Sequence, residues 1–132
     1  MTSISQPLTL PCGAVLPNRL AKGAMTEGLA DPQGRATPEL DRLYGLWADG
    51  GCGLLISGNV QIDGDHLERP GNVIIDRRPD LAALASLASM AKAGVRGGGH
   101  IWMQISHAGR QTQVTVNPHP KAPSAVALGL PG

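Results

Sequence analysis

Three short apolar runs separated by two helix-length segments constrain this chain more than any other feature. The runs occupy residues 19–25 (RLAKGAM), 54–60 (LLISGNV) and 100–106 (HIWMQIS). Runs of this length without strict alternation suit strands buried on both faces, as in a parallel sheet. The first is weak by propensity, because it carries Gly23 and two alanines. Between the first two, Thr37-Pro38-Glu39 is a helix start: a hydroxyl cap, a proline in the first turn and an acid near the positive end of the dipole. Leu40, Leu43, Tyr44 and Trp47 follow at the spacing of one buried helical face, and Gly50-Gly51 ends it. A second helix is expected from about Pro79-Asp80 to Gly94, with Leu81, Leu84, Ala88 and Ala91 on its buried face. Ahead of these units, Leu8-Thr9-Leu10 and Ala14-Val15-Leu16 flank Pro11-Cys12-Gly13, the pattern of a short β-hairpin. The order hairpin, β, α, β, α, β, loop predicts a parallel α/β sheet with right-handed crossovers.

Composition excludes several function classes. The 132 residues carry 42% hydrophobic and 16% charged side chains, enough apolar material for a core. With no Phe, that core must be built from Leu, Ile, Val, Ala and Met. The net charge of +1 comes without a basic block, so neither nucleic acid nor an anionic membrane surface is expected as a partner. Cys12 and Cys52 stand far apart with no CxxC or His-rich spacing, so neither a disulfide framework nor a metal site is expected, and a cytoplasmic setting follows. The N-terminus reads as neither a signal peptide nor a membrane span.

Phosphate-binding GxGxxG and P-loop patterns are missing after the first run, and no GxSxG elbow is found. What recurs instead is a small or polar group at the end of each expected strand: Ala24-Met25-Thr26, Ser57-Gly58-Asn59 and Gln104. In a β/α barrel such ends open onto one face, where active sites are built. Gly58 and Ala24 would allow close approach of a flat ring, Thr26 offers a hydroxyl, and the Gln104 amide both donates and accepts. Spacing alone equally allows small residues that merely pack a barrel mouth.

The wording of these segments adds specificity. LPNRLAKGAMTE at 16–27 resembles the first-strand segment of the old yellow enzyme family of flavin oxidoreductases. GLLISGNV at 53–60 is similar to its second strand, WMQISHAGRQ at 102–111 to its third-strand motif, and APSA at 122–125 to the loop beyond. Four collinear motifs cover nearly the whole chain. The resemblance implies the N-terminal part of an FMN-binding (β/α)8 TIM barrel, a hairpin followed by about three parallel βα units, with residues 1–132 forming one partial domain. It implies noncovalently bound FMN, NADH or NADPH as reductant, and an activated alkene or related small molecule as electron acceptor. Ala24, Met25 and Thr26 would line the flavin near its dimethylbenzene and N5 side, Gly58 would pack by the ring, and Gln104 would bond the pyrimidine portion. Some relatives carry Cys where this chain has Thr26, and Gly28 stands where a relative can place a substrate-contacting Tyr.

A complete barrel needs roughly 200 residues or more. The family's later His-x-x-His or His-x-x-Asn pair, and the proton-donating Tyr after it, are not found here. No catalytic residue is therefore assigned, and the chain is expected to be an inactive fragment. Its unpaired strand edges are expected to make it unstable, homo-oligomeric or dependent on further sequence for folding. A noncatalytic assembly piece pairing through those edges is the alternative, and a metal-dependent barrel hydrolase lacks an HxH after the first strand. His107 reads as structural rather than as a catalytic acid, and His66, Glu68 and Arg69 as a solvated loop. Arg110 braces either the following loop or an interface.

Overall fold

The computed structural model describes residues 3–76, 81–127 and 129. The chain opens with an antiparallel hairpin of β1 (Leu8–Thr9) and β2 (Val15–Leu16), with Gly13 at φ 87° in its turn. Beyond it lie β3 (Ala21–Lys22), α1 (Pro38–Asp49), β4 (Leu54–Gln61), β5 (Val73–Ile74), α2 (Leu81–Val95), β6 (His100–Ser106) and a 3-10 turn at Gly109–Gln111. Strands β3, β5 and β6 all pair with β4, and all are parallel to it.

β4 is the centre of the sheet because it is the one strand apolar enough to lie under both neighbours. Leu54, Leu55, Val60 and Gln61 along it are buried. On one edge β6 runs beside it from Leu54↔His100 to Gln61↔Ser106. The other edge is shared. β3 takes its start at Leu54 and Leu55, and β5 takes its end at Val60 and Gln61. The expected strand at 19–25 thus keeps only two paired residues. Beyond Lys22 the Gly- and Ala-rich segment leaves the ladder, and β5, which the sequence did not signal, fills the vacated edge.

The ladder between β4 and β6 is irregular between Ile56 and Asn59. There the Ser57 hydroxyl accepts the Gln104 N–H at 2.9 Å and donates to the Gly58 carbonyl at 2.8 Å. A side chain replaces a backbone acceptor, which frees the Gly58 N–H to point elsewhere.

Helix α1 starts as its sequence dictates. Thr37 is extended, its hydroxyl accepts the Leu40 N–H at 3.5 Å, and Pro38 opens the first turn. Replacing Thr37 with Ala should lower stability by about 1 kcal/mol. Urea unfolding would register this as a lower midpoint with an unchanged slope. Leu40, Tyr44 and Ala48 are buried, and Leu43 and Trp47 are half-buried at the flank, so the expected face is the one that packs. With Ala36, Leu55, Val60, Val73 and Met90 they form the core between helices and sheet.

The stripe expected on α2 is not the one buried. Leu81 is 85% exposed and Leu84 42%, Ala88 is exposed, and Ala91 is half-buried. The packed line is instead Ala83, Leu87, Met90 and Gly94. Apolar residues cover almost every side of this Ala-rich helix, so periodicity admits more than one stripe. Packing selects between them. α2 lies beside α1, with Ser89 donating to Asp41 at 2.5 Å and Arg96 gripping Asp49. Gly94 leaves space that Ile101 fills, since a Cβ there would sit 2.7 Å from the Ile101 Cδ1. The expected start at Pro79-Asp80 and the closing Leu130-Pro131-Gly132 lie outside the described residues.

Candidate functional site

The carboxyl ends of β3, β4 and β6 carry a continuous polar row. Gln104 Nε2 on β6 donates to Asn59 Oδ1 on β4. Asn59 Nδ2 donates to Thr26 Oγ1 at 3.2 Å and to Glu68 Oε2 at 2.9 Å. Thr26 in turn donates its hydroxyl hydrogen to the same Glu68 oxygen at 2.5 Å. Arg69 holds the other oxygen through Nε and Nη2 at 3.1 and 2.8 Å. Burial works to raise the Glu68 pKa, but the bonds from Thr26, Arg69 and Asn59 outweigh it and keep the carboxyl below its ordinary value.

Thr26 and Gln104, expected at the site from opposite ends of the chain, are therefore brought into one network. Both are partly accessible, and Ala24 and Met25 stand exposed next to Thr26. Together they form an open ledge of apolar surface and backbone with an amide and a hydroxyl along it. Gly58 lies beneath this ledge. A Cβ on it would meet Glu27 Oε2 at 2.1 Å and the Met25 carbonyl oxygen at 2.4 Å, so the segment 25–27 lies directly over it. Asn59, from the polar end of the second run, joins the row as well, and so does Glu68, expected only as part of a solvated loop. Glu68 sits in a polar loop with no periodicity, and only its long-range pairing reveals it.

A second, drier network supports the ledge from the helix side. Glu27 Oε1 accepts from the Tyr44 hydroxyl and from the Gly58 N–H, the latter at 2.9 Å. Tyr44 Oη also accepts the Gly58 N–H at 3.1 Å. Lys22 Nζ lies 3.7 Å from Glu27 Oε1 and donates to the Ile56 carbonyl at 2.8 Å. Its ammonium also stands 4.5 Å from the Trp47 ring centroid, within cation–π range. Burial and the Glu27 carboxylate raise the Tyr44 pKa far above its ordinary value, and burial lowers that of Lys22 against the pull of Glu27.

Asp63, His66 and His107 gather in the loops beyond β4 and β6, with Asp63 Oδ2 3.0 Å from His66 Nδ1 and 3.6 Å from His107 Nε2. The two imidazoles stack at 4.9 Å. His66 Nε2 accepts the Lys121 N–H and His107 Nδ1 accepts the Gly109 N–H, both at 3.0 Å. Each neutral ring then carries its hydrogen on the nitrogen that faces Asp63. Those nitrogens then have no lone pair to offer a cation, and Asp63 lies beside both rings at ion-pair distance. His107 accepts the Gly109 N–H and stacks on His66. His66 is buried rather than solvated.

No helix among the described residues is long and apolar enough to cross a membrane. No protein-family model matches the chain. Among curated proteins it is 34% identical to an NADH-dependent flavin oxidoreductase of Hypocrea jecorina, over 96% of this chain and 37% of that protein. It is 38% identical to the NADH:fumarate oxidoreductase of Klebsiella pneumoniae, over 98% of this chain and 14% of that protein. Among solved structures it superposes on an old yellow enzyme homologue of Zymomonas mobilis with a TM-score of 0.81 and 25% identity, over 95% of this chain and 34% of that one. Morphinone reductase in complex with tetrahydroNAD gives a TM-score of 0.80 and 26% identity over similar shares. The chain thus spans little more than a third of the first of these relatives, and less of the others.

Proposed function

From a chain related over almost its whole length to the NADH-dependent flavin oxidoreductases and old yellow enzymes, and folded as part of their TIM barrel, we propose one partial domain of an FMN-dependent oxidoreductase. The row Gln104–Asn59–Thr26–Glu68 across three parallel strand ends is the observation that carries the reading. In a β/α barrel such strand ends open onto the face where active sites are built, which supports the reading.

The residues present fit a flavin. An exposed Ala24-Met25 stretch would lie along the dimethylbenzene and N5 side, Thr26 would offer its hydroxyl, and the Gln104 amide would meet the pyrimidine edge. Gly58 would act from below, because its missing side chain lets segment 25–27 settle where the ring needs it. Bound there, the cofactor supplies hydride acceptance from NADH or NADPH and delivery to a small-molecule acceptor such as an activated alkene. This chain's own groups bind and orient. None among Ala24, Met25, Thr26, Gly58 and Gln104 is an acid or base for turnover, so we assign them cofactor binding and no catalytic role. On its own the chain is proposed to be inactive. The cytoplasm is the proposed setting, with Cys12 and Cys52 both unpaired. A noncatalytic assembly piece is not favoured, since the relatives matched are oxidoreductases.

The test is FMN titration of the purified chain, followed by flavin fluorescence. Saturable binding is expected, with about tenfold loss in Gln104→Leu, the effect of one or two missing hydrogen bonds. The reading is overturned if neither this chain nor one extended to the length of its relatives binds FMN.

A further inference from the structure

We propose that Asn59 is a positioning residue for the flavin site: an extra residue in β4 sets its side chain beside Gln104, where it fixes which way the Gln104 amide faces. This rests on the FMN reading above and goes beyond it, to a group that would act on the ring only through Gln104.

The placement comes from register. β4 and β6 stand opposite each other at Ile56↔Trp102 and again at Asn59↔Gln104, so Ser57 and Gly58 together face the single residue Met103. An extra residue of this kind re-aims the side chain that follows it. In an unbroken ladder Asn59 would lie opposite Ile105 and project from the other side of the sheet from Gln104. The shift brings the two level and onto the same side. Ser57 holds the arrangement, because its hydroxyl accepts the Gln104 N–H at 2.9 Å and ties the main chain of β6 to the irregular stretch.

The bonding then leaves each amide one orientation. Asn59 Nδ2 lies 2.9 Å from Glu68 Oε2, and a carboxylate only accepts, so the Asn59 amide turns its nitrogen to Glu68. Its Oδ1 is left facing β6, where it accepts from Gln104 Nε2. Turned over, the Gln104 amide would set its own oxygen against that of Asn59, and two acceptors cannot bond. What remains for a ring is the Gln104 oxygen and the second Nε2 hydrogen. The pyrimidine edge of a flavin carries a carbonyl, an N–H and a carbonyl in a row. An oxygen beside an N–H is the pattern that meets an adjacent pair of these. An amide free to turn must be ordered on binding, and Asn59 removes that entropic cost beforehand.

The first measurement needs no ligand. Hydrogen exchange of the Gln104 side-chain amide, read in 15N-labelled protein, should quicken about fivefold in Asn59→Val, the effect of one lost hydrogen bond. Valine suits a strand, so the backbone amides of β4 and β6 should keep their protection in the same variant. Unchanged exchange at Gln104 overturns the proposal, because Asn59 then does not hold the amide. Protection lost equally along both strands overturns it too, because Asn59 then serves the sheet alone.

The second measurement is a double-mutant cycle on FMN affinity. Asn59→Val should weaken binding about fivefold in the native background and by less than about twofold in Gln104→Leu, where no amide is left to position. Equal losses in both backgrounds overturn the proposal. If neither the chain nor a form extended to the length of its relatives binds FMN, the functional reading fails by itself. The exchange measurement still decides whether Asn59 holds Gln104.

Discussion

Replacing Glu27 with Ala is expected to lower the stability of the chain by about 3 kcal/mol, the scale for stripping one member from a buried charged network. The carboxylate is only 10% exposed, and it serves Tyr44, the Gly58 N–H and Lys22 together. Without it the Lys22 ammonium, 6% exposed, keeps the Ile56 carbonyl and the ring of Trp47 but loses its counter-charge. The Tyr44 hydroxyl, on a residue with no exposed surface, loses the group it donates to. Glu27→Gln separates charge from hydrogen bonding. Its amide oxygen still accepts from Tyr44 and Gly58, so a loss of about 1 kcal/mol is expected. Urea unfolding of both variants checks the order. A Glu27→Ala protein as stable as the native one would show that the network contributes nothing net.

Gly58→Ala should be similarly costly, for a different reason. A methyl group would sit 2.4 Å from the Met25 carbonyl oxygen, and backbone cannot step aside as a side chain can. About 3 kcal/mol of overpacking is expected, at the upper end for one added methyl group. Because the displaced segment is the ledge itself, FMN affinity should fall at least tenfold in the same variant. Gly23→Ala is the control on the same ledge. Nothing lies within 4 Å of its Cβ position and its φ is not positive, so a change within about 0.5 kcal/mol is expected. Thermal unfolding and FMN titration of the pair would distinguish a packing effect at 58 from general intolerance of the segment.

The parts of the fold that local chemistry decides were legible before any coordinates. Thr37-Pro38 announces α1, and the 54–60 run announces β4, because capping and burial act over a few residues. The buried side of α2 differs from the expected one for the opposite reason. When almost every position is Ala or Leu, the buried stripe is settled by what the helix packs against, here α1 and Ile101. β5 has too few residues to carry a pattern, and it exists because β3 stops early.

The site divides in the same way. Thr26 and Gln104 stood out through their place at strand ends within family-like motifs, and the structure joins them through Asn59. Glu27, Tyr44 and Lys22 gave no comparable signal. Tyr44 reads simply as one more apolar position on α1, and its hydroxyl gains meaning only when Gly58 arrives from a strand fourteen residues later. Glu68 and His66 lie in a loop whose composition resembles any solvated loop. Their burial is a property of what folds over them.

The irregularity in β4 has a consequence for how such a chain can change over generations. One displaced N–H, that of Gly58, is shared between a helix residue and a residue of the ledge. Positions 27, 44 and 58 therefore form a single inherited unit, in which a substitution at one is judged by the other two. Drift is cheap on the outer side of α2 and expensive here. A lineage that altered this corner would have to rebuild strand, helix and ledge together.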